Sequence, residues 1–126
     1  MSPHAVFIYG TLKHGGRYHH LIADQNFVAE ARTAPGFTLY QPSDYPAMVR
    51  EESGREGVSG EIWEVSSACL EQLDQLEGIA EKLYERVSIP LAPPHAGRAV
   101  EAYLYLRSLK NCPHLGSTWE NPDAAS

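Results

Sequence analysis

The chain has 126 residues, the length of one domain with enough material for a single core. Hydrophobic residues make up 43% and charged residues 21%, and sixteen acids against ten bases leave a net charge of -6. That balance, with bases scattered along the chain, excludes a broad electrostatic footprint for nucleic acid. No apolar run has the length of a signal-peptide core or a spanning helix, so a cytoplasmic protein without a membrane partner is expected.

The first element is the apolar run Ala5-Val6-Phe7-Ile8-Tyr9, which reads as a strand over 6–9 and stops at Gly10-Thr11-Leu12-Lys13, followed by the polar His14-Gly15-Gly16-Arg17. A buried strand ending in glycine leaves backbone N–H groups where a small anion can approach, although a plain tight turn fits the same residues. Further short apolar segments lie at 27–33, 37–40, 47–50, 58–65, 83–91 and 100–106. Between them stand turn residues such as Pro35-Gly36, Pro42-Ser43-Asp44, Gly54-Arg55-Glu56-Gly57 and Pro93-Pro94-His95-Ala96-Gly97. Many short strands with few helices predict an α+β fold: a small mixed, mostly antiparallel β-barrel with a few flanking short helices, closed so that no edge is exposed. Pro90 belongs at a strand end or on an edge. Residues 1–110 are read as a single domain. From Asn111 the composition turns to Pro, Ser, Asn, Asp and Ala, predicting a polar tail over 111–126 that lies on the surface or is disordered.

One helix stands out. Ser66 suits an N-cap, Leu70, Leu73 and Leu76 recur at helical spacing, and Gly78 sits where a left-handed residue ends a helix. At roughly 100° per residue Glu77 falls about 20° from Leu70 and about 40° from Leu73, inside the apolar arc. Two readings follow. Either the last turn frays and the carboxylate swings to solvent or to a cation, or an acid is held against apolar walls that raise its pKa toward neutrality. An acid of the second kind can take up and return a proton at physiological pH.

Other residues carry less. His19-His20 lack a partner at metal-ligand spacing, and His4, His14, His95 and His114 are dispersed, so no metal site is expected. Cys69, on the arc of Leu76, reads as core, and with Cys112 it forms neither a disulfide framework nor a zinc set. The loop from Gly10 to Gly16 lacks the Gly-Lys-Ser/Thr ending of a phosphate loop. Tyr84 and Arg86 share one strand face, open to a pocket or to solvent.

These residues carry a family resemblance. Val6-Phe7-Ile8-Tyr9-Gly10-Thr11-Leu12-Lys13-His14-Gly15 resembles the opening motif of the γ-glutamylcyclotransferase-like superfamily, which includes γ-glutamylaminecyclotransferases and plant avirulence-induced proteins. Asp44-Tyr45-Pro46-Ala47, then Val58-x-Gly60-Glu61-Ile62-Trp63, then Leu73-Asp74-x-x-Glu77-Gly78 with Tyr84-x-Arg86 follow in the family's order. Gly116-Ser117-Thr118-Trp119 is similar to a family Gly-x-Trp ending at different spacing, and no role passes to Trp119.

The resemblance implies a small β-barrel and conversion of a γ-glutamyl amine or γ-glutamyl amino acid to 5-oxoproline with release of the free amine, without a cofactor. It implies Glu77 as the catalytic acid/base and Tyr9, Gly10, Thr11 and Leu12 as the loop that binds the glutamyl head; Tyr45, Tyr84 and Arg86 are candidates for the pocket wall. The partner is then a small γ-glutamyl molecule, and the protein a monomer or a homodimer. A non-catalytic binding or interaction module on the same fold is the alternative. A hydrolase using Cys69 or a serine lacks a nucleophile-turn motif. The leaving amine, contacted by loops such as 41–45 and 51–57, is left open.

Overall fold

The apolar run near the N-terminus is unbroken because its strand is covered on both faces. In the computed structural model of the protein, which describes residues 3–120, β1 (His4–Ile8) turns Phe7 into one hydrophobic cluster and Val6 and Ile8 into another. The strand lies at the centre of a five-stranded sheet. The order across it is β2 (Asn26–Arg32), β5 (Ser59–Val65), β1, β7 (Val100–Tyr105) and β6 (Tyr84–Ile89), antiparallel throughout except for the β1–β7 pair. A smaller antiparallel sheet sets β3 (Phe37–Tyr40) between β4 (Ala47–Arg50) and β8 (His114–Gly116).

The two clusters are the two halves of the core. Phe7, Ile62 and Leu104 of the larger sheet pack with Phe37, Leu39 and Met48 of the smaller one. On the opposite face Val6, Ile8, Trp63, Val65 and Tyr103 pack against Cys69, Leu70 and Leu73 of α1 (Ser67–Leu76). The helix has the ends its sequence predicts: the Ser66 side chain accepts the Cys69 amide at 3.1 Å, and Gly78 takes φ +68, which glycine adopts freely. A single 3₁₀ turn at His19–Leu21 accompanies it, and among the described residues no helix is long and apolar enough to cross a membrane.

The predicted barrel is not formed. The larger sheet keeps β2 and β6 as separate edges, joined by a short stretch in which the Thr33–Leu91 bridge is flanked by bonds from the Ala92 amide to the Arg32 carbonyl and from the Ala34 amide to the Pro90 carbonyl. A physical reason lies in both edges: β2 is interrupted by an irregular register between Phe27 and Ala29, and β6 stops at Pro90, which has no N–H with which to continue a ladder. The three-stranded sheet covers the open face instead. The expected surface tail is also corrected as far as residue 120. Its residues His114 to Gly116 supply β8, and Trp119 is buried in the cluster between the sheets; the rest of that segment, 121–126, lies outside the described residues.

Candidate active site

Glu77 is the residue that caps α1, and the helix packing described above decides where it goes. It lines a cavity of about 280 Å³ together with Tyr9, Gly10, Thr11 and Leu12 of the loop leaving β1. Tyr45 and Tyr84 line the same space. Six of the seven sequence-selected companions of Glu77 therefore meet it. Arg86 does not, because its guanidinium bonds Asp74 of α1 and Glu101 of β7, the latter at 3.2 Å.

The loop is tightly turned. The Lys13 amide donates to the Gly10 carbonyl at 3.1 Å and the Tyr18 amide to the Thr11 carbonyl at 3.0 Å. The amides of Thr11 and Leu12 donate to no other described residue. A Cβ at Gly10 would stand 2.7 Å from Cγ of Pro46, so a close approach between this loop and the 42–46 loop requires glycine there.

The electrostatics set Glu77 apart. Its carboxyl, half-buried on the cavity wall, has no hydrogen-bond donor among the described residues, and desolvation raises its pKa from 4.5 to about 7. The aromatic frame around it is rigid and polar only at committed atoms. Tyr9 Oη donates to the Tyr103 carbonyl at 2.6 Å and accepts the Met48 amide at 3.3 Å. Tyr84 Oη donates to the Pro46 carbonyl at 2.8 Å, and Tyr103 Oη to Asp74 Oδ1 at 2.7 Å. Burial first, and then the Glu77 charge for Tyr9 and the neighbouring Tyr9 and Glu77 for Tyr84, pushes both phenols upward, so they stay protonated. Burial likewise raises Tyr45, whose ring lies 6.4 Å from that of Tyr84.

Sequence reasoning missed three features of the wall. Arg17 Nη1 and Nη2 hold Oδ2 and the carbonyl of Asp44, both at 2.7 Å, across the cavity mouth; the hydrogen bond and then the Arg17 charge keep the solvent-facing Asp44 carboxyl low. Tyr103 joins Tyr9 to Asp74, and alternation along β7 was the available signal for its direction. The third is Tyr18, which enters the wall because the loop folds back on itself. The histidines stay apart from any ligand set: His4 bonds Ser67, His19 bonds the Leu12 carbonyl, and among the described residues no group of three or more His, Cys, Asp or Glu side chains converges.

The strands, the capped helix and an acid facing a glycine-ended loop define one small-molecule site on one fold. The chain belongs to the gamma-glutamyl cyclotransferase, AIG2-like family, whose sequence model matches residues 6–121. A zebrafish (Danio rerio) protein named gamma-glutamylaminecyclotransferase C is 34% identical over 116 residues, covering 83% of this chain and 76% of that protein. A Vibrio cholerae protein provisionally named a gamma-glutamylcyclotransferase is 37% identical over 76 residues; the match spans 60% of this chain and 64%, just under two thirds, of the Vibrio protein. In structure the chain is similar to an AIG2-like protein from Mus musculus, with TM-score 0.75 and 25% identity over 97% of this chain and 92% of that one.

Proposed function

We propose that the protein is a cofactor-independent γ-glutamyl cyclotransferase, which converts a γ-glutamyl amide to 5-oxoproline and a free amine. The observation that carries this reading is the Glu77 carboxyl, half-buried and without a donor among the described residues, on the wall of a cavity that it shares with the 9–12 loop. Family membership and the names of the zebrafish and Vibrio relatives support it.

The chemistry asks little of the protein beyond placement. The substrate's α-amine attacks its own γ-carbonyl carbon, so a new C–N bond closes a five-membered ring and the old C–N bond to the leaving amine breaks. No protein nucleophile is needed, and proximity is built into the substrate. The α-ammonium sheds two protons on its way to the lactam N–H. Glu77 takes them in turn, one as the amine is freed and one as the ring closes, and passes each to the departing nitrogen, which leaves as an ammonium while Glu77 ends in its initial state. Its pKa of about 7 narrows the gap to an aliphatic ammonium, which an ordinary carboxylate could not do. The Thr11 and Leu12 amides bind the α-carboxylate as a neutral nest, adding no cation that would hold Glu77 ionised. Tyr9, Tyr45 and Tyr84 form the walls that keep water from the acid.

The test is a screen of γ-glutamyl amino acids and amines for 5-oxoproline release, followed by the N-acetylated form of the best substrate. We expect the acetylated compound to be inert, because its nitrogen can no longer attack. Cleavage of it would require water or a side chain as nucleophile and would overturn the mechanism.

A further inference from the structure

Next to the 9–12 loop lies a buried glutamate that the proposed reaction does not use. Glu61, on β5, is 7% exposed, and three donors reach its carboxylate. Oε1 accepts the Trp63 indole N–H at 3.0 Å and the His14 amide at 3.2 Å; Oε2 lies 3.3 Å from that amide and 3.1 Å from His14 Nδ1. A carboxylate has no hydrogen to give, so this contact puts a proton on Nδ1 of His14. The donors come from two directions, one from the same face of β5 and the others from the segment that follows Leu12.

The surroundings shield these bonds. The His14 ring lies 5.2 Å from that of Trp63, 5.0 Å from Phe27 and 4.7 Å from His19, whose own Nδ1 contacts the Leu12 carbonyl at 3.0 Å. Lys13 Nζ, half-buried, donates to the Trp119 carbonyl at 2.7 Å. Three side chains, of His19, Lys13 and Glu61, thus fix three consecutive residues, 12–14. Charge-assisted bonds of this kind in a partly dry site are the strong ones.

We propose that Glu61 is a positioning residue, which holds the 10–16 loop through the His14 amide and ring in the shape that presents its own amides to the substrate carboxylate. The inference rests on the reading of that loop as the glutamyl-binding segment. Gly60-Glu61-Ile62-Trp63 then has a purpose: glycine lets β5 pass close to β1, the acid grips the loop, and the tryptophan both shields and orients the acid.

Glu61→Leu decides it, because the side chain keeps the approximate size but accepts from neither the Trp63 N–H nor His14. On a substrate found by 5-oxoproline release, KM is expected to rise by about 10- to 100-fold, the value of a charge-assisted hydrogen bond, while kcat changes by less than about threefold. His14→Ala, which removes only a half-exposed ring, should raise KM by a smaller factor and guards against a Glu61 variant that fails to fold. Hydrogen exchange supplies a readout that does not depend on turnover: the Gly16 and Tyr18 amides, bonded to Lys13 and Thr11, should exchange faster in both variants while α1 keeps its protection. Wild-type KM in the variants, unchanged exchange at those amides, or protection lost evenly across the molecule would overturn the proposal. An inactive wild type would instead overturn the cyclotransferase reading, and the exchange data would still decide whether Glu61 holds the loop.

Discussion

Glu77 lines the cavity with residues 9–12 and Glu61 bonds His14 of the same loop, and the pair shows that the chemistry open to a shielded acid is set by its partners rather than by burial. Glu61 has donors on both oxygens, from a strand neighbour and from the loop. Glu77 has none among the described residues, and burial alone carries its pKa to about 7. A carboxylate held by three donors is a strut: moving its position costs several bonds at once. One that has been largely desolvated without gaining a donor is poised to exchange a proton.

The sharpest way to break this contrast is Glu77→Gln. The substitution keeps shape and deletes proton transfer, so kcat for 5-oxoproline formation should fall by roughly 10²- to 10⁴-fold with KM little changed. The same variant should melt at a higher temperature than wild type at neutral pH, since the fold no longer desolvates a carboxylate. Glu61→Leu should melt lower, because it leaves the Trp63 and His14 N–H groups without an acceptor. Near-normal turnover in a folded Glu77→Gln protein would remove the acid from the mechanism and leave a binding module on this fold.

A pH series sharpens the same point. With a folded pKa of about 7 against an ordinary value of 4.5, Glu77 binds its proton more tightly folded than unfolded. Its cost to stability is therefore absent below about pH 4.5, grows as pH rises toward 7 and is constant above, reaching on the order of 3 kcal/mol. Wild type should lose stability across that window relative to Glu77→Gln, and the two melting curves should converge in acid. A parallel pair of curves would place the Glu77 carboxyl in contact with water. In wild type kcat/KM should rise with an apparent pKa near 7 as the base ionises.

How much of this could be read from the sequence depends on whether the information is local. Helical spacing from Ser66 to Gly78 placed Glu77 on the apolar arc, because one capped helix resting on a sheet carries its own coordinates. Strand alternation likewise paired Tyr84 with Arg86 on one face. It could not foresee that Asp74 on α1 and Glu101 on β7 would capture the guanidinium before it reached the cavity. β8 escaped notice because its three residues bring only Leu115 as an apolar contribution; its ladder is made by β3, over seventy positions upstream. Trp119 is buried by the same pairing. The barrel failed for a related reason: strand count is local, whereas closure depends on how far two distant edges can stay in register.

The smallest of the expected effects tests the surface that joins the two glutamates. Gly10 begins the loop that Glu61 holds and Glu77 faces, and a methyl group there meets the Pro46 ring at 2.7 Å. Pro46 cannot yield alone, because its carbonyl accepts the Tyr84 hydroxyl at 2.8 Å and its neighbour Tyr45 lines the cavity. Gly10→Ala should therefore spread the loop from the 42–46 segment, with an overpacking cost of about 1–3 kcal/mol in stability and a rise of about tenfold in KM. Because the displacement leaves Glu77 on its helix, kcat at saturating substrate should fall far less than in Glu77→Gln. A variant with wild-type KM would show that contact with Pro46 can be relaxed without moving the loop amides, and the close approach would then be packing with no part in binding.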